Sequence, residues 1–188
     1  MATTVTIQPY GIYYKQESNK WGNVQRLWDG NESTAPTSQS GYILLNVDLS
    51  FLPPGAWITQ VTARYVCKRG SDGITDVRLS CTDRASYSSS DQRTQIKTIS
   101  LEKGTYNVAQ AHAGTVTLTH EESSAWLSKA YKLITLQANV LNTGYEVYLD
   151  VTYEESASNL FVGQDQAKEV YVGATKASAV YIGDKKIL

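Results

Sequence analysis

The chain has 188 residues, with 17 lysines and arginines against 18 aspartates and glutamates, and a formal net charge of −1. This balance predicts no nucleic-acid partner, because binding nucleic acid requires a basic face. The longest apolar runs, such as residues 42–45, are far shorter than the roughly 20 residues that cross a bilayer. The N-terminus has no basic and apolar leader of the kind that directs secretion. We therefore expect no membrane segment and synthesis in the cytoplasm.

Strict alternation of apolar and polar residues dominates the chain and predicts β-strands. In residues 145–154 it places the odd-numbered positions from Val147 to Tyr153 on a core face and the even-numbered ones from Glu146 to Glu154 in solvent. Similar runs occupy residues 5–7, 43–49, 58–67, 77–81, 96–101, 116–118 and 133–140. Turns rich in Gly, Pro, Asn and Asp separate them. Many short strands without alternating long helices predict an all-β fold, an antiparallel jelly-roll β-sandwich.

A single short helix is predicted after Thr119. Thr119 and Glu122 have the spacing of a capping box, in which each side chain satisfies a backbone N–H of the other residue. Four apolar residues then follow at helical spacing: Trp126, Leu127, Ala130 and Tyr131. We expect this helix to close one end of the sandwich, with Trp126 in the core.

The last part of the chain is a short repeat, which divides the protein into a sandwich at residues 1–155 and an assembly segment at residues 156–188. An aromatic–aliphatic–glycine triplet begins at Phe161, Tyr171 and Tyr181. This pattern predicts short strands joined by glycine-led turns. Such units are too small to bury their own apolar side. We predict that the three aromatics serve assembly in a homo-oligomer; the alternative is that the segment folds back on the sandwich.

Flat aromatic side chains are the candidate ligand-binding residues. Trp21, Trp28 and Trp57 flank predicted turns, and Tyr87 lies in a polar loop at residues 83–95. Saccharide sites use such aromatics against the faces of sugar rings. The alternatives are that the tryptophans pack the ends of the sandwich and that the loop is a solvated connection.

Catalysis is not expected. The chain has two histidines outside any motif, no nucleophile elbow and no phosphate-binding glycine loop. Its two cysteines, Cys67 and Cys81, lie in alternating runs and are predicted to be reduced and buried; the alternative is a disulfide. A hidden pair of carboxylates, as a glycosidase uses, is the alternative.

Two stretches resemble known sandwich families. Asp29-Gly30-Asn31-Glu32-Ser33-Thr34, followed by the apolar strand that ends at Asp48 and Leu49, resembles the galactose-binding-like, discoidin-type sandwiches. Residues 48–61 are similar to the D-L-S-x-L-P-x-G-A-x-I pattern of the DNRLRE family of jelly-roll modules, found on secreted and surface proteins. The first resemblance implies a structural calcium ion at Asp29 and Asn31, and it adds both residues to the ligand-binding candidates. The alternative is that they form only a tight turn.

The C-terminal repeat carries a third resemblance. Its Y-V-G and Y-I-G units with lysine-rich turns look like the tails of virion structural proteins from phages of Gram-positive hosts. This resemblance implies a phage virion protein, a capsid decoration or a head- or tail-associated appendage, made in the host cytoplasm. Its partners would be other virion proteins and, weakly, a host-surface glycan. The alternative function is a carbohydrate-binding module of a cell-surface protein or enzyme.

Overall fold

The computed structural model describes residues 2–15, 22–34, 36, 41–68, 76–85, 93–101, 109–138 and 143–155, and four residue pairs near the C-terminus. Nine strands build the main body: β1 Ala2–Ile7, β2 Pro9–Lys15, β3 Gly41–Val47, β4 Trp57–Lys68, β5 Asp76–Thr82, β6 Thr94–Ser100, β7 Ala109–Thr117, β8 Tyr131–Ala138 and β9 Thr143–Glu154. A 3₁₀ helix, Val24–Leu27, lies between β2 and β3, and helix α1, His120–Ser128, lies between β7 and β8.

The strands form two antiparallel sheets, which confirms the predicted all-β jelly-roll sandwich. The four-stranded sheet has the order β1-β9-β4-β7, and the five-stranded sheet has the order β2-β3-β8-β5-β6. The chain crosses between the two sheets repeatedly, so neighbours in a sheet are mostly distant in sequence. Strand β9 contains the longest predicted alternation and pairs with both β1 and β4.

One hydrophobic core fills the space between the sheets. Its inward rows are Ile43, Leu45 and Val47 on β3; Val61, Ala63 and Tyr65 on β4; Val77, Leu79 and Cys81 on β5; Ile134 and Leu136 on β8; and Val147, Leu149 and Val151 on β9. Helix α1 packs against strands of both sheets. Its Trp126 is fully buried and donates from Nε1 to the Ser80 carbonyl at 3.0 Å, which confirms its predicted place in the core.

The structure differs from the predicted elements in three places. Strand β2 was not predicted, because it begins at Pro9, contains Gly11 and has two register shifts against β3 that break its alternation. Strand β7 is longer than the predicted residues 116–118. The helix ends at Ser128, and Tyr131 belongs to β8 rather than to the helical face. The capping box at Thr119 and Glu122 forms as predicted.

The described part of the repeat consists of two small antiparallel hairpins. Strands β10 Tyr171–Val172 and β11 Thr175–Lys176 pair, as do β12 Tyr181–Ile182 and β13 Lys185–Lys186. The prediction of short strands is confirmed for these two units, whereas Phe161 lies outside the described residues. Cys81 is a free, buried thiol, and the Cys67 side chain also lies outside them. Of the helices in the described ranges, none is long and apolar enough to span a membrane.

Candidate functional site

The Asp29-Gly30-Asn31 loop is a tight turn held by its own side chains. Gly30 has a φ of 76°, a left-handed conformation that favours glycine. The Asn31 N–H donates to Asp29 Oδ1 at 2.9 Å, and the Thr34 hydroxyl donates to Asp29 Oδ2 at 2.9 Å. The Asn31 side-chain oxygen accepts the Ser33 N–H at 3.0 Å. The loop therefore has the turn structure that the sequence offered as one of two alternatives.

Glu146 on β9 lies beneath this loop, which corrects its predicted place in solvent. It points to the outer face of the four-stranded sheet, yet its exposed fraction is 0%. Its Oε1 accepts the Asn31 N–H at 2.9 Å, and its Oε2 accepts the side-chain amide of Gln8. Residues that are far apart in the sequence thus meet at one buried carboxyl group. We call this group of residues the loop clasp: Gln8, Asp29, Asn31 and Glu146.

The two carboxyl groups of the loop clasp titrate very differently. Burial raises the pKa of Glu146 to about 7, and a hydrogen bond with Asp29 adds to the rise, while the N–H groups of Asn31 and Gly30 oppose it. Burial on its own also raises the pKa of Asp29, but hydrogen bonds from Thr34, Asn31 and Glu146 outweigh it and leave that pKa below its ordinary value. A proton held by Glu146 and shared with an ionised Asp29 satisfies both groups.

The sequence resemblance implies a calcium ion at Asp29 and Asn31. Calcium requires roughly six to eight oxygen ligands. Here oxygens of Asp29 and Glu146 already accept N–H and hydroxyl donors. Among the described residues no group of three or more His, Cys, Asp or Glu side chains could hold a metal. Calcium at Asp29 and Asn31 stays a prediction of the resemblance.

The predicted aromatic residues have different surroundings. Trp28 is half-buried and packs against the hydrophobic core. Trp57 is half-buried at the start of β4, with its ring 5.5 Å from that of His120 at the start of α1. Trp21 and Tyr87 lie outside the described residues. A ligand-binding role for these four residues stays a prediction.

A groove that the sequence did not predict lies at the end of the sandwich where α1 packs. It has a volume of about 410 Å³. Tyr10 on β2 and Lys132 on β8 line it together with Asp48 and the connection that runs from there to Ala56. Its apolar floor consists of Leu52 and Leu127, which pack against the core. We call this feature the Tyr10 groove.

The walls of the Tyr10 groove are rigid and carry both charges. The Ser50 N–H donates to Asp48 Oδ1 at 2.8 Å, and the Ala56 N–H donates to the Pro53 carbonyl at 3.0 Å. Hydrogen bonds from the backbone and then the hydroxyl of Ser50 lower the pKa of Asp48, and the charge of Lys132 lowers it further. Asp48 is therefore ionised at neutral pH, and an acceptor and a donor flank the same space.

Tyr10 is exposed to an unusual degree for a large ring. Its exposed fraction is 62%, and Ile12 on the same strand has 47%. Such exposure has no benefit for folding, because the ring remains in water. The residues from Asp48 to Ala56 carry a family resemblance in the sequence, but nothing in the sequence places Tyr10 or Lys132 beside them. An exposed aromatic at a groove is typical of a binding surface.

The fold class is therefore a two-sheet antiparallel sandwich with a preformed groove at one end. No protein-family model and no curated protein matches the chain. One similar solved structure is CpGH89CBM32-5 from Clostridium perfringens in complex with GalNAc-β-1,3-galactose, at 12% identity and a TM-score of 0.31. The alignment covers 79% of this chain and 94% of that one.

A second similar structure is the CBM22-1–GH10 portion of Clostridium thermocellum endo-1,4-β-D-xylanase 10B, complexed with xylohexaose. Identity is 12%, the TM-score is 0.32, and the alignment covers 87% of this chain but 30% of the other. Both neighbours contain β-sandwich carbohydrate-binding modules. At these TM-scores the likeness carries no argument about what this chain binds.

Proposed function

We propose that the sandwich is a non-catalytic binding module that takes a saccharide in the Tyr10 groove. The observation that carries this proposal is the exposed Tyr10 ring beside a charged donor and a charged acceptor. A sugar has an apolar face of C–H groups that packs on an aromatic ring. Its hydroxyl groups both donate and accept, so Asp48 and Lys132 can bind them on one ring edge.

The size and rigidity of the groove support a small ligand. Its volume of about 410 Å³ falls within the range of roughly 300–1,000 Å³ typical of small-molecule sites. Because the Asp48–Ala56 wall is hydrogen-bonded to itself and the floor is part of the core packing, the walls need no reordering when a ligand binds. A preformed site loses less conformational entropy on binding, which favours affinity.

Binding without turnover fits the positions of the acidic residues. Glycosidases act with two carboxyl groups on either side of the scissile bond, separated by roughly 5–9 Å. Asp48 is the acidic side chain that lines the Tyr10 groove among the described residues. The carboxyl pair that the structure does bring into contact, Asp29 with Glu146, includes a fully buried member that a substrate would not reach.

A glycan array tests the proposal. The full chain, labelled and applied to bacterial cell-wall polysaccharides and mammalian glycans, is expected to bind a defined subset, and Tyr10→Ala is expected to lose that binding. Ile12→Ala is the matched control, because it removes the other exposed hydrophobic side chain of β2 and lies outside the groove. Equal array signals for wild type and Tyr10→Ala, or an array without any signal, would refute saccharide binding here.

The place of the module in a larger assembly is a finer part of the same proposal. The two described hairpins repeat at a ten-residue interval with the same register, Tyr171 opposite Lys176 and Tyr181 opposite Lys186. Hairpins of this size are marginal in water by themselves. We take the segment as the element that joins copies of the chain to each other and to a phage particle, so that weak saccharide contacts add through multivalency.

Two measurements test this finer part. Mass spectrometry of purified phage particles is expected to detect the chain in many copies, and its absence would remove the virion proposal while leaving saccharide binding intact. Truncation after Glu155 is expected to convert an oligomer into a monomer in analytical ultracentrifugation. If the truncated protein has the same number of copies per particle as the full chain, the repeat does not hold the copies together.

A further inference from the structure

A second pocket lies on the outer face of the five-stranded sheet, away from the core. Because Val77, Leu79 and Cys81 enter the core, the alternate residues of β5, Arg78 and Ser80, lie on the opposite face. Strand pairing places Thr135 of β8 opposite Arg78, and it places Gln95 of β6 opposite Ser80. Together with Arg93, these side chains line a cavity of about 140 Å³.

Ser80 is the feature that marks this pocket as a binding site. Its exposed fraction is 4%, and no group among the described residues makes a hydrogen bond to its Oγ. A buried hydroxyl without a partner is costly, and folded proteins rarely retain one. The backbone of Ser80 is fixed from the other side, because its carbonyl accepts the indole N–H of Trp126 at 3.0 Å. The hydroxyl is thus held in place at the floor of the pocket with its hydrogen-bonding capacity unused.

The charge of the pocket defines the ligand. Two arginines contribute to its lining, and Asp76 accepts from Nε of Arg78 at 2.8 Å, which orients that guanidinium group. Both arginines carry a permanent positive charge, and both contribute to the wall of the cavity. Arginine binds planar and tetrahedral oxyanions with charge-assisted hydrogen bonds, and a fixed hydroxyl is a suitable further donor.

We propose that this pocket is a second ligand site, separate from the Tyr10 groove, which binds the oxyanion of an acidic saccharide through Arg78, Ser80 and Arg93. The oxyanion is a carboxylate or a sulfate ester. The cavity of about 140 Å³ is close to the roughly 150 Å³ of an apolar cavity that holds benzene. It therefore takes the oxyanion-bearing end of one sugar residue, and the rest of the saccharide would continue across the exposed side chain of Gln95.

Isothermal titration calorimetry on the full chain tests the proposal, with a methyl glucuronide, a sulfated glucose, a neutral methyl glucoside and inorganic sulfate as probes. The two acidic sugars are expected to bind, and the neutral sugar is not. The acidic sugar that binds more tightly shows whether the site prefers a carboxylate or a sulfate ester. Ser80→Ala is expected to weaken binding at least tenfold while its Tm equals or exceeds that of the wild type, because the hydroxyl has no partner to lose in the free protein. Thr62→Ala, on the outer face of the other sheet, is the control.

Three results would overturn the proposal. Equal binding of the neutral and acidic sugars would exclude oxyanion recognition. Inorganic sulfate that binds as tightly as the sugars, with no effect of Ser80→Ala, would indicate an adventitious ion only. A lower Tm for Ser80→Ala with unchanged affinity would assign the hydroxyl to structure. Binding that survives Tyr10→Ala separates this site from the proposed groove, so either proposal can fail without the other.

Discussion

Replacing Glu146 by glutamine should remove most of the pH dependence of stability between pH 5 and pH 8. The pKa of Glu146 is raised to about 7 in the folded protein, against an ordinary value of 4.5. A raised folded pKa means that the folded state holds the proton more tightly, so its stabilising contribution is complete below pH 4.5 and is lost as the pH rises through 7. Across this window the loss is about 2–3 kcal/mol, as an upper limit.

Urea denaturation of both proteins at pH 5, 6, 7 and 8, each in the presence of a chelator, measures this loss. The unfolding free energy of the wild type should fall with increasing pH relative to Glu146→Gln, whose amide stays neutral while its carbonyl oxygen can still accept the Asn31 N–H. Taking the difference between the two proteins cancels the histidines that they share. Parallel pH profiles would refute the shared proton. If calcium, added in place of the chelator, stabilises only the wild type, a cation and not a proton lies between the carboxyl groups.

The other predictions concern single contacts, each measured by urea denaturation against the wild type. Gly114→Ala places a methyl group 1.9 Å from the Ser100 carbonyl oxygen, and it should destabilise the fold by about 3 kcal/mol or more; a loss below that would mean that the backbone shifts freely. Thr119→Ala removes the helix cap and should cost about 1 kcal/mol, so unchanged stability would contradict the capping box. Ser123→Ala leaves the buried Ile58 N–H, now 2.7 Å from Oγ, without an acceptor and should cost about 1–3 kcal/mol; a neutral result would mean that another group replaces the acceptor.

The sandwich could be predicted from alternation because most strands bury one face only. In β9 every odd-numbered residue from Val147 to Tyr153 enters the core. The sequence of this one strand is enough to show the two-residue alternation. Strand β2 escaped prediction for a local reason: its register shifts break the alternation, and Pro9 and Gly11 are residues that usually end strands.

The sites could not be predicted in the same way, because each depends on contacts between distant residues. Glu146 has a solvent-facing position in its strand, and it is covered by Gln8 and by the loop at Asn31, 138 and 115 residues earlier. The Tyr10 groove exists because the sheet order places β2, β3 and β8 side by side. Strand pairing of this kind leaves no local signal that relates Tyr10 or Asp48 to Lys132.

The affinity of the full chain for its best-binding array glycan tests the central claim most directly, when measured by titration calorimetry for wild type, Tyr10→Ala and Ile12→Ala. Loss of the stacked ring should weaken binding by roughly tenfold or more, since about 1.4 kcal/mol corresponds to a factor of ten. Ile12→Ala should bind like the wild type. Equal affinities for all three proteins would contradict saccharide binding in the Tyr10 groove.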